Sequence, residues 1–172
     1  ELDQHLPLFI KVAEKLKYNN NQIQFILGLS PEFNLDHFFL PDWIQIEKKY
    51  PQKALECANL ALVASGTSTI EAAVFGTPMI IIYKMSQLSW WLSKSLVKVP
   101  YAGMVNIIAG SMIIPEILQN EATPERIFCT ASKIINSPEK ISHMKSELSK
   151  VKNVLKGNDK IKTAAELILE LS

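Results

Sequence analysis

Ala64-Ser65-Gly66-Thr67-Ser68-Thr69-Ile70-Glu71-Ala72-Ala73 follows the apolar run Leu60-Ala61-Leu62-Val63 and runs on to Gly76-Thr77-Pro78. The apolar run reads as a buried parallel strand, because no polar residue interrupts it as it would in a half-exposed strand. The segment after it reads as a short helix that stops at Gly76, with Pro78 just beyond. A strand, a loop of small residues and a helix N-terminus make an anion site, since unpaired backbone N–H groups and the positive end of the helix dipole converge there. Glu71 is four residues after Thr67, on the same side of the first turns. Directly on a phosphate it would repel; beside one it can accept two hydrogen bonds from a ribose diol. The segment therefore reads as a nucleotide-diphosphate site. A second reading stays open: a Ser/Thr-rich loop is often only an N-cap, and the dipole alone favours a first-turn glutamate by about 0.3–1 kcal/mol.

Outward from this unit the pattern alternates. Residues 1–17 read as an amphipathic helix with Leu2, Leu6, Phe9, Ile10, Val12, Ala13 and Leu16 on its apolar side. Residues 24–28 and 43–46 read as short strands, residues 51–58 as a helix, and residues 78–83 as a second near-continuous apolar strand. Thr123-Pro124-Glu125 and Ser137-Pro138-Glu139 each combine a cap, a proline at the first helical position and an acid, so each predicts a helix start. Asn158-Asp159 opens a last helix. Strands alternating with helices, then a helical tail, predict an α/β domain with a Rossmann-like parallel sheet. A doubly wound domain normally opens with a strand, and none precedes residue 1, so a first strand and its loop are expected to be missing.

The chain has 172 residues and 48% apolar content, enough for one domain spanning residues 1–172. A formal net charge of +1 offers no field that would recruit nucleic acid. Cys57 and Cys129 fit no metal or redox spacing and read as small apolar residues of a reduced cytosolic protein. His5, His37 and His143 form no ligand set and read as surface or helix-flanking residues, so neither metal nor cofactor is expected. No apolar run reaches the roughly 18–20 residues of a spanning helix. Residues 84–101 are the membrane candidate: as a helix they place Leu88, Trp91 and Leu92 on one face and Lys94 and Lys98 on another, the pattern of an interfacial helix, although a core helix packed on the sheet fits the same residues.

Ser65-Gly66-Thr67-Ser68-Thr69-Ile70-Glu71-Ala72, Gly76-Thr77-Pro78-Met79, Leu96-Val97-Lys98-Val99-Pro100-Tyr101, Asn106-Ile107-Ile108-Ala109-Gly110 and Pro115-Glu116-Ile117-Leu118-Gln119, in this order, resemble lipid-A-disaccharide synthase over nearly the whole chain. The resemblance implies the C-terminal, donor-binding half of a two-domain GT-B glycosyltransferase. It implies transfer of 2,3-diacylglucosamine from UDP to 2,3-diacylglucosamine 1-phosphate, with inversion and without a bound metal. The backbone of Gly66 to Thr69 and the hydroxyls of Thr67 and Ser68 would hold the diphosphate, Glu71 the ribose, and Asn106 the sugar or diphosphate; Asn106 as a turn residue is the alternative. Ser65 and Lys84 complete the substrate-binding set, although Lys84 stands where arginine is expected and Ser111 where a basic residue is. Glu116, after Pro115 in an expected helix start, is either a cap or catalytic. The resemblance implies a Gly-Ser-Arg-type loop immediately before residue 1 and a general base in an N-terminal half, without which the chain would be inactive. The implied partners are UDP-2,3-diacylglucosamine, a lipid acceptor, the cytoplasmic face of the inner membrane of a Gram-negative-type bacterium, and a homodimer partner or the other domain for the tail at residues 151–171. Another UDP-sugar GT-B transferase, or a nucleotide-binding module without chemistry, would carry the same glycine loop.

Overall fold

The computed structural model describes residues 2–64, 66–84 and 101–156. In chain order these form α1 (Leu2–Asn19), β1 (Phe25–Gly28), β2 (Ile44–Glu47), α2 (Pro51–Cys57), β3 (Ala61–Ala64), α3 (Thr67–Phe75) and β4 (Met79–Tyr83). Then follow α4 (Met104–Ala109), β5 (Glu116–Leu118), a 3₁₀ turn (Gln119–Glu121), α5 (Pro124–Ile135) and α6 (Pro138–Leu155). The fold is mixed α/β with parallel sheets, as the alternation predicts. Among the described residues one sheet is the pair β1–β2 and another has the order β3–β4–β5, each of these pairings parallel.

The apolar run after Pro78 becomes the central strand β4. Met79, Ile80, Ile81 and Ile82 are all fully buried, so both faces of this strand are covered, which is what an uninterrupted apolar run requires. The cover comes from two groups of helices. α1 packs with α5, while α3, α4 and α6 pack on one another. Val12 of α1, Ala72 of α3, Val105 of α4, Ile127 of α5 and Leu148 of α6 meet the β4 side chains in one core.

The punctuation read from sequence works locally. Gly76 ends α3 at φ 72°, and its N–H donates to the carbonyls of Ala72 and Ala73. Only glycine adopts this left-handed conformation at little cost. Thr123 and Ser137 cap α5 and α6, their hydroxyl oxygens accepting from the N–H groups of Arg126 and Lys140. Thr77 Oγ1 donates to Leu55 O at 2.7 Å and so fastens the entry of β4 to the end of α2.

Four expectations need correction. His5 is buried within α1, 4% exposed, because it shares the inward stripe with Leu8 and Val12; His37 and His143 are exposed as expected. Cys57 and Cys129 are both exposed, one closing α2 and the other on the outer side of α5, so neither packs as a core residue. Pro115 does not begin a helix, because residues 116–118 pair with β4 as a strand. Val151 is the buried last turn of α6 and not the first turn of a separate tail. The Trp90-Trp91 stretch and the helix expected from Asn158 lie outside the described residues.

Candidate functional site

In an open parallel sheet the ligand crevice lies beyond the carboxyl ends of the strands. Here those ends are Ala64 of β3, Tyr83 of β4 and Leu118 of β5. The chain leaves β3 and turns into α3 through Gly66, whose φ of 144° and ψ of −156° belong to a region that only glycine occupies readily. A Cβ on Gly66 would meet nothing within 4 Å. The glycine is thus required by backbone conformation and not by crowding.

Among the described residues no side chain caps α3. Thr69 turns inward: its hydroxyl donates to Gly66 O at 2.7 Å, its N–H reaches the same oxygen at 3.2 Å, and the residue is fully buried. Thr69 therefore shapes the turn. Gly66, Thr67 and Ser68 are exposed, and so is Glu71, one turn beyond Thr67 on the same face of α3. The register pairs Ala64 with Ile82, so Gly66 and Lys84 each follow the carboxyl end of one of two neighbouring parallel strands. Lys84 is exposed. An amide-rich helix start and a lysine thus share one edge of the sheet, an arrangement that favours an anion. Ser65 lies outside the described residues. Gln119, at the end of β5, holds φ 49° in the left-handed region, where non-glycine residues are uncommon. It stands at the same edge, and a sequence reading has no local signal for it.

Asn106 does not join this edge. It is fully buried in α4, at the amino end of β5. Its Oδ1 accepts from the N–H groups of Ile113 and Ile114, both at 3.0 Å. Its Nδ2 donates to Ile114 O at 2.8 Å and to Glu116 Oε1 at 2.7 Å. Two acceptances and two donations fill the hydrogen-bonding capacity of the amide. Glu116 does cap a helix, but not one it begins. From the first residue of β5 its carboxylate accepts from Ala102 N–H at 2.8 Å and from Gly103 N–H at 2.9 Å, at the start of α4. A Cβ on Gly103 would collide with Ile81 Cδ1 and sit 3.0 Å from Glu116 Oε1, so this clamp is closely fitted. Asn106 and Glu116 together fasten α4 to β5 from inside.

Comparison with known proteins agrees with this architecture. A family model described as lipid-A-disaccharide synthetase matches residues 1–170. The lipid-A-disaccharide synthase of Dechloromonas aromatica (strain RCB) is 39% identical over 166 residues, which cover 96% of this chain and 42% of that protein. The synthase of Syntrophus aciditrophicus (strain SB) is 36% identical over 165 residues, 90% of this chain and 42% of that protein. The synthase of Methylobacillus flagellatus (strain ATCC 51484 / DSM 6875 / VKM B-1610 / KT) is 30% identical over 178 residues, 98% of this chain and 47% of that protein. The chain thus spans less than half the length of these relatives. A crystal structure of the glycotransferase of kitacinnamycin superposes with a TM-score of 0.54 at 19% identity, over 96% of this chain and 39% of that one, a likeness of fold. Since the family model takes in almost every residue from the first helix onward, this chain belongs to the lipid-A-disaccharide synthetase family.

Proposed function

We propose that this chain forms the donor-binding half of a glycosyltransferase of lipid A biosynthesis, which moves 2,3-diacylglucosamine from UDP to 2,3-diacylglucosamine 1-phosphate and releases UDP. The observation that carries the reading is the Gly66 turn at the carboxyl end of β3, opening α3 with no side-chain cap among the described residues and with Glu71 exposed one turn in. The diphosphate sits over the backbone of Gly66 to Thr69, with the hydroxyls of Thr67 and Ser68 and the Ser65 side chain beside it. Glu71 accepts from the ribose hydroxyls, and Lys84 meets the charge that develops on the departing UDP. The backbone N–H groups at the start of α3 are held by the fold, so they need not reorganise as charge builds. Asn106 and Glu116 support the site by holding α4 against the sheet. Inversion, and a general base on the other half of the enzyme, complete the reading.

The substrates carry acyl chains, so the enzyme works at the cytoplasmic face of the inner membrane as a peripheral protein. Among the described residues no helix is long and apolar enough to cross a membrane. Val154 and Leu155 leave apolar surface at the end of α6, which supports a packing partner for the C-terminal helices, either the other domain or a second protomer.

The test is calorimetric titration of UDP into the intact protein and its Glu71→Ala variant. A charge-assisted hydrogen bond contributes about 1.5–3 kcal/mol, so the variant should bind UDP roughly 10- to 150-fold more weakly. Equal affinity in the two proteins would remove Glu71 from the donor site and return it to the role of a dipole-favoured surface residue.

A further inference from the structure

Residues of α5 and α6 line an open cleft of about 550 Å³. Pro115, at the amino end of β5, helps to line it, so the cleft lies away from the strand ends that form the donor site. Ile134 and Met144, each 5% exposed, give it an apolar floor. Arg126, Lys133, Lys140 and His143 line it as well, against a single carboxylate, Glu139. None of these side chains forms an ion pair among the described residues, where the ion pairs are Lys15–Glu125 and Lys150–Glu147. Three permanent cations and one anion therefore share one concavity in a chain whose whole formal charge is +1. Concave walls of low dielectric focus such a field outward.

We propose that the α5–α6 cleft docks the phosphate headgroup of an anionic phospholipid, holding the protein to its membrane independently of the donor site. Arg126, Lys133 and Lys140 line one concavity of about 550 Å³, a size that suits a single phosphate group. The apolar floor suits the glycerol and first methylenes beneath a headgroup, while Arg126 can present a planar fork to phosphate oxygens and Lys133 and Lys140 point charges. Each basic residue close to an anionic surface adds modestly to binding, so the contact is reversible and salt-sensitive. The proposal rests on the peripheral-membrane reading above, but not on the identity of the donor.

The experiment is co-sedimentation of the intact protein with phosphatidylcholine vesicles containing phosphatidylglycerol, and with phosphatidylcholine alone. A Lys133→Glu/Lys140→Glu variant is compared with Lys49→Glu/Lys53→Glu, which changes the charge equally at exposed positions around α2. The expected result is binding to the phosphatidylglycerol vesicles that falls at least tenfold in the cleft variant and less than twofold in the control. Equal loss in both would mean a diffuse electrostatic attraction and would overturn the proposal, as would undiminished binding by the cleft variant or no binding by the parent. Inorganic phosphate that perturbs the Thr130 and Lys140 amide resonances, without vesicle binding, would make the occupant a soluble phosphate and overturn the lipid assignment. Should the double reversal lower the melting temperature, Lys140→Gln alone is measured instead and should lose about threefold. UDP titration on the same variants keeps the two readings apart, since the cleft variant should bind UDP as the parent does.

Discussion

Asn106→Asp tests whether this side chain is a structural latch, and its effect can be worked from four distances. The replacement is nearly isosteric and keeps an oxygen to accept from Ile113 and Ile114 at 3.0 Å. It removes the Nδ2 donor and puts a second carboxylate oxygen about where that nitrogen stood, 2.7 Å from Glu116 Oε1 and 2.8 Å from Ile114 O. Two unit charges at this separation would repel by about 6 kcal/mol at an effective dielectric constant of roughly 20. The pair avoids much of that by binding one proton, which also restores a donor between the two groups. Taking up that proton at pH 7 costs about 4 kcal/mol for a carboxyl with an ordinary pKa near 3.9, and this sets the size of the effect. A loss of about 4 kcal/mol lowers the melting temperature by roughly 8–16 °C in a domain of this length. The sign with pH follows from linkage. The variant's native state binds a proton that its unfolded state releases, so the deficit relative to the parent is full at pH 7 and shrinks as pH falls toward the ordinary carboxyl pKa. Urea unfolding of both proteins at pH 7.0, 6.0 and 5.0 measures it. A deficit under about 1 kcal/mol at pH 7, or one that does not shrink on acidification, would refute the buried latch. UDP affinity of the folded variant within about threefold of the parent is also expected, since Asn106 faces β5 and not the crevice; a loss far beyond that would mean a ligand contact.

The remaining expectations are smaller. Gly66→Ala should destabilise by about 1–3 kcal/mol through backbone strain alone, because the new Cβ meets open space; an unchanged urea midpoint would contradict the conformation at this turn. The Glu125 carboxyl is held below the usual carboxylate range by a backbone N–H in the first turn of α5 and by Lys15 on α1, 3.1 Å away. Its depressed pKa contributes stability that is present above the ordinary carboxylate pKa and is lost as pH falls through the lowered one. Lys15→Ala should therefore move the Glu125 titration, followed by NMR, upward; no movement would show that the backbone N–H alone sets it. Glu147 should behave likewise, with Lys150 as the partner that lowers its pKa.

What sequence could reveal here follows from range. Residues 78–83 announced a buried strand because each of them is apolar, and Thr123-Pro124-Glu125 announced a helix because a cap is a matter of three neighbouring residues. Glu116 carried the same kind of local cue, a proline before an acid, and the cue misled. Its pairing with Ile81 and its capping of Ala102 and Gly103 are made across the fold, with no periodicity to record them. His5 escaped for a related reason, since one polar residue in an apolar stripe looks like a break in the stripe. Of the candidate site, the Gly66 loop and Glu71 were legible because a glycine turn leading into a helix is written contiguously. The inward turn of Thr69 was not, because Thr67, Ser68 and Thr69 are chemically alike and only the helix phase separates them.

The parallel ladder also bears on the order of folding. Val63 pairs with Ile81 after a crossover of about 18 residues, whereas Ile81 pairs with Glu116 after one of about 35. Doubling a loop adds about 0.6 kcal/mol to the entropy of closing it. The unit β3–α3–β4, which contains the Gly66 turn, therefore has the shorter closure and is set to assemble first, with β5 arriving on an edge already formed. The clamp of Glu116 on the start of α4 is made only on that arrival. Its loss should then appear mainly as faster unfolding and leave the refolding rate nearly unchanged, so the Gly66 turn would be born early in folding and secured late.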